Sequence, residues 1–161
     1  VAMEQFGKDE LGNASVATAG IVRNTPNGFN VVPGETMLRW DIRGIDKASR
    51  ERVLQNTEKK AKEIAAARGL TCEINRVSES DPVTLDETVQ KNLSKAAEKL
   101  GIPHIVMPSG AGHDAMNFTE ICPVGMLFVP SKEGISHNKE EFSKTEDIAK
   151  GCEVLLEYLK N

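Results

Sequence analysis

Apolar and polar residues alternate in short stretches along the first half of the chain, with turn residues between them. Residues 15–23 and 35–43 follow this period of two, which is typical of strands that bury one face. Residues 29–32 (FNVV) read as a further short strand, which a proline-glycine pair separates from the next one. Residues 70–77 (LTCEINRV) read as another strand. The first half therefore predicts several short strands.

Helical patterns flank and interrupt these strands. Residues 1–12 predict the end of a helix that closes at Gly12-Asn13. Asp46 is the predicted N-cap of a helix that runs to Arg68, and Gly69 follows as its C-cap. One face of this helix carries the residues that we expect to be buried, namely Val53, Thr57, Ala61, Ile64 and Ala65. The first half thus predicts a small helix-on-sheet sandwich.

The second half alternates helical and extended patterns. Asp86 can cap a helix that runs to Leu100, and residues 104–107 read as a short strand. Residues 124–129 (VGMLFV) are a continuous apolar run, as expected of a strand buried on both faces. Thr145 begins a final helix whose predicted inward face is Ile148, Cys152, Leu155, Leu156 and Leu159. This alternation predicts a mostly parallel sheet.

A break at Asp81-Pro82-Val83 separates the two patterns and predicts a domain boundary. We expect residues 1–80 to form an α+β portion and residues 81–161 an α/β portion. The predicted fold class is therefore α/β, with helices packed on mixed β-sheets.

Composition narrows the functional classes. The net charge is −4, from 20 basic and 24 acidic side chains, which argues against a nucleic-acid partner because phosphate binding needs a basic patch. No run of 18 apolar residues is present, so we expect no membrane span. Cys72, Cys122 and Cys152 form an odd, widely spaced set, which predicts reduced, mostly buried thiols in a cytoplasmic protein.

A glycine-rich segment, Ser109–Asp114 (SGAGHD), lies between a predicted strand and a predicted short helix. Open α/β sheets place ligand sites at such junctions, and glycines let the backbone approach a ligand. The alternative is a plain strand-to-helix turn with Asp114 as its cap and His113 exposed. The segment is neither a dinucleotide fingerprint nor a phosphate-binding P-loop, so we do not expect nucleotide binding.

His137 lies in a polar loop directly after the buried run 124–129. An imidazole at the carboxyl end of a strand is well placed to bind a metal ion. Zinc needs three or four ligands, however, and His104 and His113 are not at a ligand spacing from His137. On spacing alone, His137 is therefore either a metal ligand or a surface histidine.

Three groups of residues, read together, resemble a known family. They are PSGAGHDA (residues 108–115), MLFVPSKEGISHN (126–138), and NVVPG (30–34) followed by DIR (41–43). These segments, and their order along the chain, resemble the hydantoinase/carbamoylase family. That family includes N-carbamoyl-L-amino-acid hydrolases, allantoate amidohydrolases, ureidoglycolate hydrolases and β-ureidopropionases. It belongs to the metallohydrolases of the aminoacylase and carboxypeptidase-G type.

The resemblance implies a role for each matching residue. His137 would be the family's last metal ligand and would bind zinc or manganese. Asn30 and Arg43 would hold the carboxylate of a small ureido or amide substrate, and a planar guanidinium suits that role. Without the resemblance, Arg43 reads as a surface strand residue paired in the neighbourhood of Asp41. The residues that would line the substrate pocket are Gly110, Ala111, Gly112 and His113. Asp114 would orient their loop.

The family's remaining metal ligands and its general base lie N-terminal to everything in this chain. The resemblance therefore implies that the chain is the C-terminal part of a longer enzyme, inactive alone, with no catalytic base of its own. Residues 1–80 would be part of a lid through which relatives form homodimers. Residues 116–118 (MNF) and Lys139 differ from the residues that are common at these positions in the family, a difference that would affect the choice of substrate.

Two other functions stay open on the sequence. The chain could be a stand-alone module that binds a carboxylate through Arg43 or mediates dimerisation without catalysis. It could also belong to an aminoacylase-like or dipeptidase-like enzyme of the same superfamily. The amino-acid sequences of the two loops around His113 and His137 favour the carbamoylase branch.

Overall fold

The structure, a computed structural model, describes residues 1–10, 12 and 15–160. In chain order its elements are α1 (Ala2–Asp9), β1 (Val16–Thr25), β2 (Glu35–Arg43), α2 (Lys47–Ala67), α3 (Glu87–Lys99) and α4 (Thr145–Leu159). Two short 3-10 helices, Asp114–Phe118 and Lys132–Gly134, lie between α3 and α4. The chain divides into a first unit, Val1–Pro82, and a second unit, Val83–Asn161. None of the described helices has the length and apolarity that a membrane crossing needs.

β1 and β2 form an antiparallel hairpin, which confirms the two alternating stretches as strands. Val16 lies opposite Arg43 at one end of the ladder, and Thr25 lies opposite Glu35 at the other. The strand predicted at residues 29–32 is wrong. These residues belong to the connection between β1 and β2, which the Gly34 N–H closes by donating to the Thr25 carbonyl at 2.9 Å.

Local signals define the ends of α2 as predicted. The Asp46 carboxylate accepts the Ser49 N–H at 2.6 Å, so that it caps a free donor of the first turn. Gly69 has φ +67°, and the N–H groups of Gly69 and Leu70 donate back to Ala66 and Ala65. This is the left-handed ending that glycine permits. α1, by contrast, ends at Asp9, before the predicted end at Gly12-Asn13, and Asn13 lies outside the described residues.

The first unit buries polar side chains beside its apolar ones. Val53 is fully buried on α2, and the hydroxyls of Ser15 and Ser49 share a hydrogen bond of 2.7 Å. Glu10 accepts the Ser49 hydroxyl at 2.8 Å and the Arg52 guanidinium at 2.7 Å, which ties the residue after α1 to α2. Of the face predicted for α2, Val53, Thr57 and Ala65 are buried, Ala61 is half-buried and Ile64 is 46% exposed.

The strands predicted at residues 70–77, 104–107 and 124–129 are wrong, because the structure assigns no strand to them. In the described part of the chain, β1 and β2 are the two strands that pair. An apolar pattern favours an extended backbone, but a strand exists only where a neighbouring strand accepts and donates its hydrogen bonds. The run 124–129 is also not fully buried, since Phe128 is 56% exposed. The α/β class itself is confirmed.

α3 and α4 pack together in the second unit. Their core consists of Ala96, Ala97 and Val154, with Leu93, Ile102 and Tyr158 packed against it. The Asp86 carboxylate accepts the Val89 N–H at 2.8 Å, and Gly101 has φ +66° after the helix, so the predicted ends of α3 are confirmed. A side chain on Gly125 would come within 2.4 Å of Val89, so residue 125 must be glycine to pass this close to α3.

α4 begins at Thr145 as predicted, but the predicted inward face is wrong. Leu156 is 56% exposed and Leu159 is 76% exposed, whereas Val154 and Glu157 are buried. Exposure also extends to Ile148, Cys152 and Leu155. The buried face meets the small residues of α3, and the Glu157 carboxylate accepts the Lys99 ammonium there. Helical periodicity identified apolar positions but did not determine which of them face α3.

The cysteines are free thiols in the described residues. Cys72 is half-buried, whereas Cys122 and Cys152 are exposed, so the expectation that most of them are buried is wrong.

Candidate functional site

The glycine-rich segment forms an exposed loop in the second unit. The Ser109 hydroxyl closes a local turn, because it accepts the Ala111 N–H at 3.2 Å and donates to the Ala111 carbonyl at 3.3 Å. A Cβ placed on Gly110 or on Gly112 would meet nothing within 4 Å, and neither glycine has a positive φ. Neither packing nor backbone conformation within the chain therefore demands glycine here. The loop presents backbone that another molecule can approach closely.

His113, and not Asp114, caps the short 3-10 helix that follows this loop. The Nδ1 atom of His113 accepts the Ala115 N–H at 3.0 Å, and the residue has extended backbone angles of φ −140° and ψ 147°. A ring nitrogen that accepts a hydrogen bond carries no proton, so the neutral ring carries its proton on Nε2. The alternative in which Asp114 caps the turn is wrong. The exposed His113 ring thus presents an N–H donor at Nε2.

His137 lies in a second loop, whose ends are tied together. The Lys132 N–H donates to the Phe142 carbonyl at 2.8 Å, so residues 132–142 form a closed loop. Gly134 has φ +67°, and His137 itself has φ +56°, in the left-handed region that a side chain disfavours. Such a conformation costs about 1–3 kcal/mol, and it persists only where surrounding contacts impose it.

Three hydrogen bonds impose the conformation around His137. Its N–H donates to the Glu141 Oε2 atom at 2.8 Å. The Glu141 N–H donates to the Asn138 carbonyl at 3.0 Å, and the Glu140 N–H donates to the Asn138 Oδ1 atom at 3.0 Å. The Glu141 side chain and backbone therefore both bind the segment that contains His137. The imidazole of His137 is left exposed to its surroundings.

The donor set allows a test of the predicted metal site. His137 offers one imidazole nitrogen, a ligand type that zinc accepts readily. Among residues 1–10, 12 and 15–160, no group of three or more His, Cys, Asp or Glu side chains could hold a metal ion. A metal site that includes His137 would need further ligands beyond these residues.

The two residues predicted to bind the substrate carboxylate lie in the first unit. Asn30 is exposed in the connection that precedes β2, whereas Arg43 is the last residue of β2. Arg43 Nη2 lies 2.7 Å from Asp41 Oδ2, and Nε donates to the same carboxylate at 2.9 Å. The Asp41 carboxylate also raises the pKa of Arg43. Arg43 is therefore a fixed, partly exposed cation.

The predicted residues are thus distributed over three segments, each held by its own local bonds. Gly110, Ala111, Gly112 and His113 form one loop of the second unit, and His137 lies in another. The sequence allowed for a pair between Arg43 and the neighbourhood of Asp41, since residues two apart on a strand share a face, and the structure shows this pair. Sequence reasoning missed Glu141, for which the only signal was an acidic residue just after a turn.

The chain is similar to known proteins in sequence and in fold. The sequence profile described as "Peptidase family M20/M25/M40" matches residues 5–161. An N-carbamoyl-L-amino acid amidohydrolase of Geobacillus stearothermophilus is 37% identical over 141 residues, which are 88% of this chain and 34% of that protein.

Two solved structures are also similar. One is described as AtUAH in complex with glyoxylate, with a TM-score of 0.91 and 35% identity over 99% of this chain and 38% of the other. The second is an amidase of the hydantoinase/carbamoylase family from Burkholderia multivorans, with a TM-score of 0.88 and 34% identity over 98% of this chain and 38% of the other. The predicted resemblance is confirmed. The chain spans little more than a third of the length of the proteins that it matches.

Proposed function

Because the chain belongs to peptidase family M20/M25/M40, we propose that the whole protein is a metal-dependent amidohydrolase. It cleaves a C–N bond in the ureido or amide group of a small carboxylate substrate. The observation that carries this proposal is the likeness, over 99% of the chain, to a protein solved with the small carboxylate glyoxylate. The N-carbamoyl-L-amino acid amidohydrolase at 37% identity supports the ureido group as the point of cleavage.

In this proposal, Arg43 and Asn30 bind the substrate carboxylate. The Asp41 carboxylate holds the guanidinium through Nε and Nη2, which reduces the conformational entropy that Arg43 loses on binding. The exposed amide of Asn30 adds a hydrogen-bond donor of matching chemistry. Both residues recognise the carboxylate and leave the scissile group to other parts of the protein.

The glycine-rich loop lines the substrate pocket. The open space around Gly110 and Gly112 supports this role, because it lets the backbone of the loop come close to a ligand. His113 Nε2–H donates to an oxygen of the substrate, since Nδ1 is occupied by the Ala115 N–H. Asp114 begins the 3-10 helix that ends the loop.

His137 is one ligand of a zinc or manganese ion. When bound, a divalent cation of this kind polarises a carbonyl group and activates water. The other ligands and the general base belong to the part of the polypeptide outside this chain. We therefore expect no turnover from these 161 residues alone.

The proposal also assigns the two units. The first unit is part of a lid that closes on the substrate and pairs two subunits as a homodimer, and the second unit is part of the catalytic domain. Three free cysteines without a disulfide pattern support a cytoplasmic location.

Hydrolysis by the whole protein tests the function. Purified protein, loaded in turn with zinc and manganese, is mixed with N-carbamoyl amino acids, ureidoglycolate and allantoate, and product release is measured. We expect hydrolysis of at least one ureido carboxylate, and its loss when a chelator removes the metal. Absence of hydrolysis with every substrate and both metals would contradict the proposal.

Substitution of Arg43 tests the carboxylate site. Arg43→Ala removes the guanidinium that binds the substrate carboxylate in this proposal, so we expect KM to rise about 10–100-fold, the effect of losing about 1.5–3 kcal/mol from a charged hydrogen bond. Arg39→Ala, an exposed arginine on the same strand, is the matched control and should leave KM unchanged. Equal effects of the two substitutions on KM would show that Arg43 has no specific role in binding the substrate carboxylate.

A further inference from the structure

The loop formed by residues 132–142 contains two adjacent glutamates with different contacts. Glu140 extends its carboxylate toward the Lys132 ammonium at 3.5 Å, and both side chains are at least half exposed. Glu141 is also exposed, but its carboxylate accepts the backbone N–H of His137 at 2.8 Å. The two residues carry the same charge in the same loop, but Glu140 contacts a lysine side chain whereas Glu141 binds the backbone of His137.

We propose that Glu141 is a positioning residue that fixes the backbone of His137 in the conformation from which its imidazole binds the metal ion. This inference rests on the proposed role of His137 as a metal ligand. It assigns to Glu141 a function that neither its sequence context nor its side-chain chemistry alone would reveal.

The backbone of His137 has a conformation that needs support. At φ +56°, a residue with a side chain is strained, so an unrestrained loop would relax to the extended or right-handed region and swing the Cα–Cβ bond away. The closure between Lys132 and Phe142 fixes the ends of the loop, but it does not act on His137 directly. The hydrogen bond from His137 to Glu141 does act on it.

The negative charge of Glu141 has two effects. A carboxylate that accepts a backbone N–H makes a charge-assisted bond, about twice as strong as a neutral one. The same negative charge lies close to the residue that receives a divalent cation, and it favours that cation electrostatically. Glu141 therefore contributes both geometry and charge, and two different substitutions separate these contributions.

Zinc affinity of the full-length protein is the main measurement, obtained by competition with a chromophoric chelator. For Glu141→Ala we expect affinity to fall about 10–100-fold, the usual effect of losing a residue that orients a ligand. Glu141→Gln keeps an oxygen that can accept the His137 N–H but loses the charge, so its affinity should lie between those of Glu141→Ala and the wild type. Glu140→Ala is the matched control and should change affinity less than about twofold, because its exposed ion pair is weak.

Hydrogen exchange supplies a measurement that needs no metal. In the metal-free protein, exchange in a peptide that contains His137 should be faster in Glu141→Ala than in the wild type, and near the wild-type rate in Glu141→Gln. A purely structural role elsewhere in the fold would not reproduce this rescue by glutamine. Unchanged exchange in Glu141→Ala would overturn the inference.

His137→Ala distinguishes a failure of the proposed metal ligand from a failure of the proposed role of Glu141. If His137→Ala lowers zinc affinity and Glu141→Ala does not, Glu141 is not a positioning residue, and the proposed metal ligand stands. If His137→Ala leaves zinc affinity unchanged, the ligand assignment fails and the inference about Glu141 fails with it.

Discussion

In the first unit, Ser15, Ser49 and Arg50 are buried with polar partners, whereas the buried core of the second unit is Ala96, Ala97 and Val154. The first unit also contains the paired strands and most of the described ion pairs that join distant parts of the sequence. The second unit leaves leucines of α4 exposed. The two units therefore differ in what they bury: hydrogen-bonded polar side chains predominate in the first, and small apolar side chains predominate in the second, where Glu157 is a buried charged residue.

Arg50 gives the largest expected effect on this comparison. Its side chain is 10% exposed, and it donates to the Ser80 carbonyl and to the carboxylates of Glu79 and Asp81. Arg50→Ala should destabilise the first unit by about 2–3 kcal/mol, because it removes charged hydrogen bonds and leaves a cavity. Urea unfolding followed through Trp40, the single tryptophan of the chain, measures this.

Lys62→Ala, at an exposed position on the same helix, is the control for Arg50 and should change stability by less than about 0.5 kcal/mol. If Arg50→Ala has an equally small effect, burial of charge does not stabilise the first unit.

The second unit offers a paired test on α4. Val154→Ala should cost about 2 kcal/mol, since the side chain is 3% exposed and its removal leaves a cavity against Ala96 and Ala97. Leu159→Ala should cost less than about 0.5 kcal/mol, because Leu159 is 76% exposed. Hydrogen exchange of α3 and α4 peptides measures both. A larger effect at Leu159 than at Val154 would show that the inward face of α4 is the one predicted from the sequence.

Acid gives the smallest expected effect, and it should act on the first unit. Hydrogen bonding to Lys47 lowers the pKa of Asp81, and hydrogen bonds from Gln55 and Arg76 lower the pKa of Glu51. A carboxyl group with a lowered pKa in the folded state favours folding above its unfolded pKa, about 4. This contribution is lost as the pH falls through the lower folded value.

The urea midpoint reported by Trp40 should therefore be lower at pH 3 than at pH 6. The variant Lys47→Met, which lacks the ammonium group, should show a smaller difference between the two pH values. An equal difference in wild type and variant would show that the Lys47–Asp81 pair makes no contribution.

The elements that the sequence predicted well are those with local signals. Asp46 and Asp86 cap helices through bonds to residues three positions away, and Gly69 and Gly101 end helices through their own φ. Such bonds form within a few residues, so the sequence nearby is sufficient to predict them. The alternation in residues 35–43 worked because the hairpin partner is also nearby in the sequence.

The predictions that failed depend on distant partners. Residues 124–129 read as a buried strand, but no pattern within them specifies a neighbouring strand. The residues of α4 that face inward are determined by α3, which presents alanines and Lys99. The periodicity of α4 alone gives no information about those residues of α3. At the candidate site, sequence motifs indicated Arg43 and His137, and strand spacing allowed for the pair of Arg43 with Asp41. The bond from His137 to Glu141, by contrast, was found only in the structure.

The bonds of Arg50 also limit the length of unbonded chain at the boundary between the two units. They tie residues 79–81 to α2, and on the other side the Asp86 N–H donates to the Val124 carbonyl while Leu85 accepts the Gln90 side chain. Pro82, Val83 and Thr84 lie between these ties, and the proline ring fixes one of their torsions. Only these three residues, about 10 Å of extended chain, are therefore without a bond to α2 or α3 at the boundary, and the proline leaves them with fewer free torsions than three ordinary residues would have.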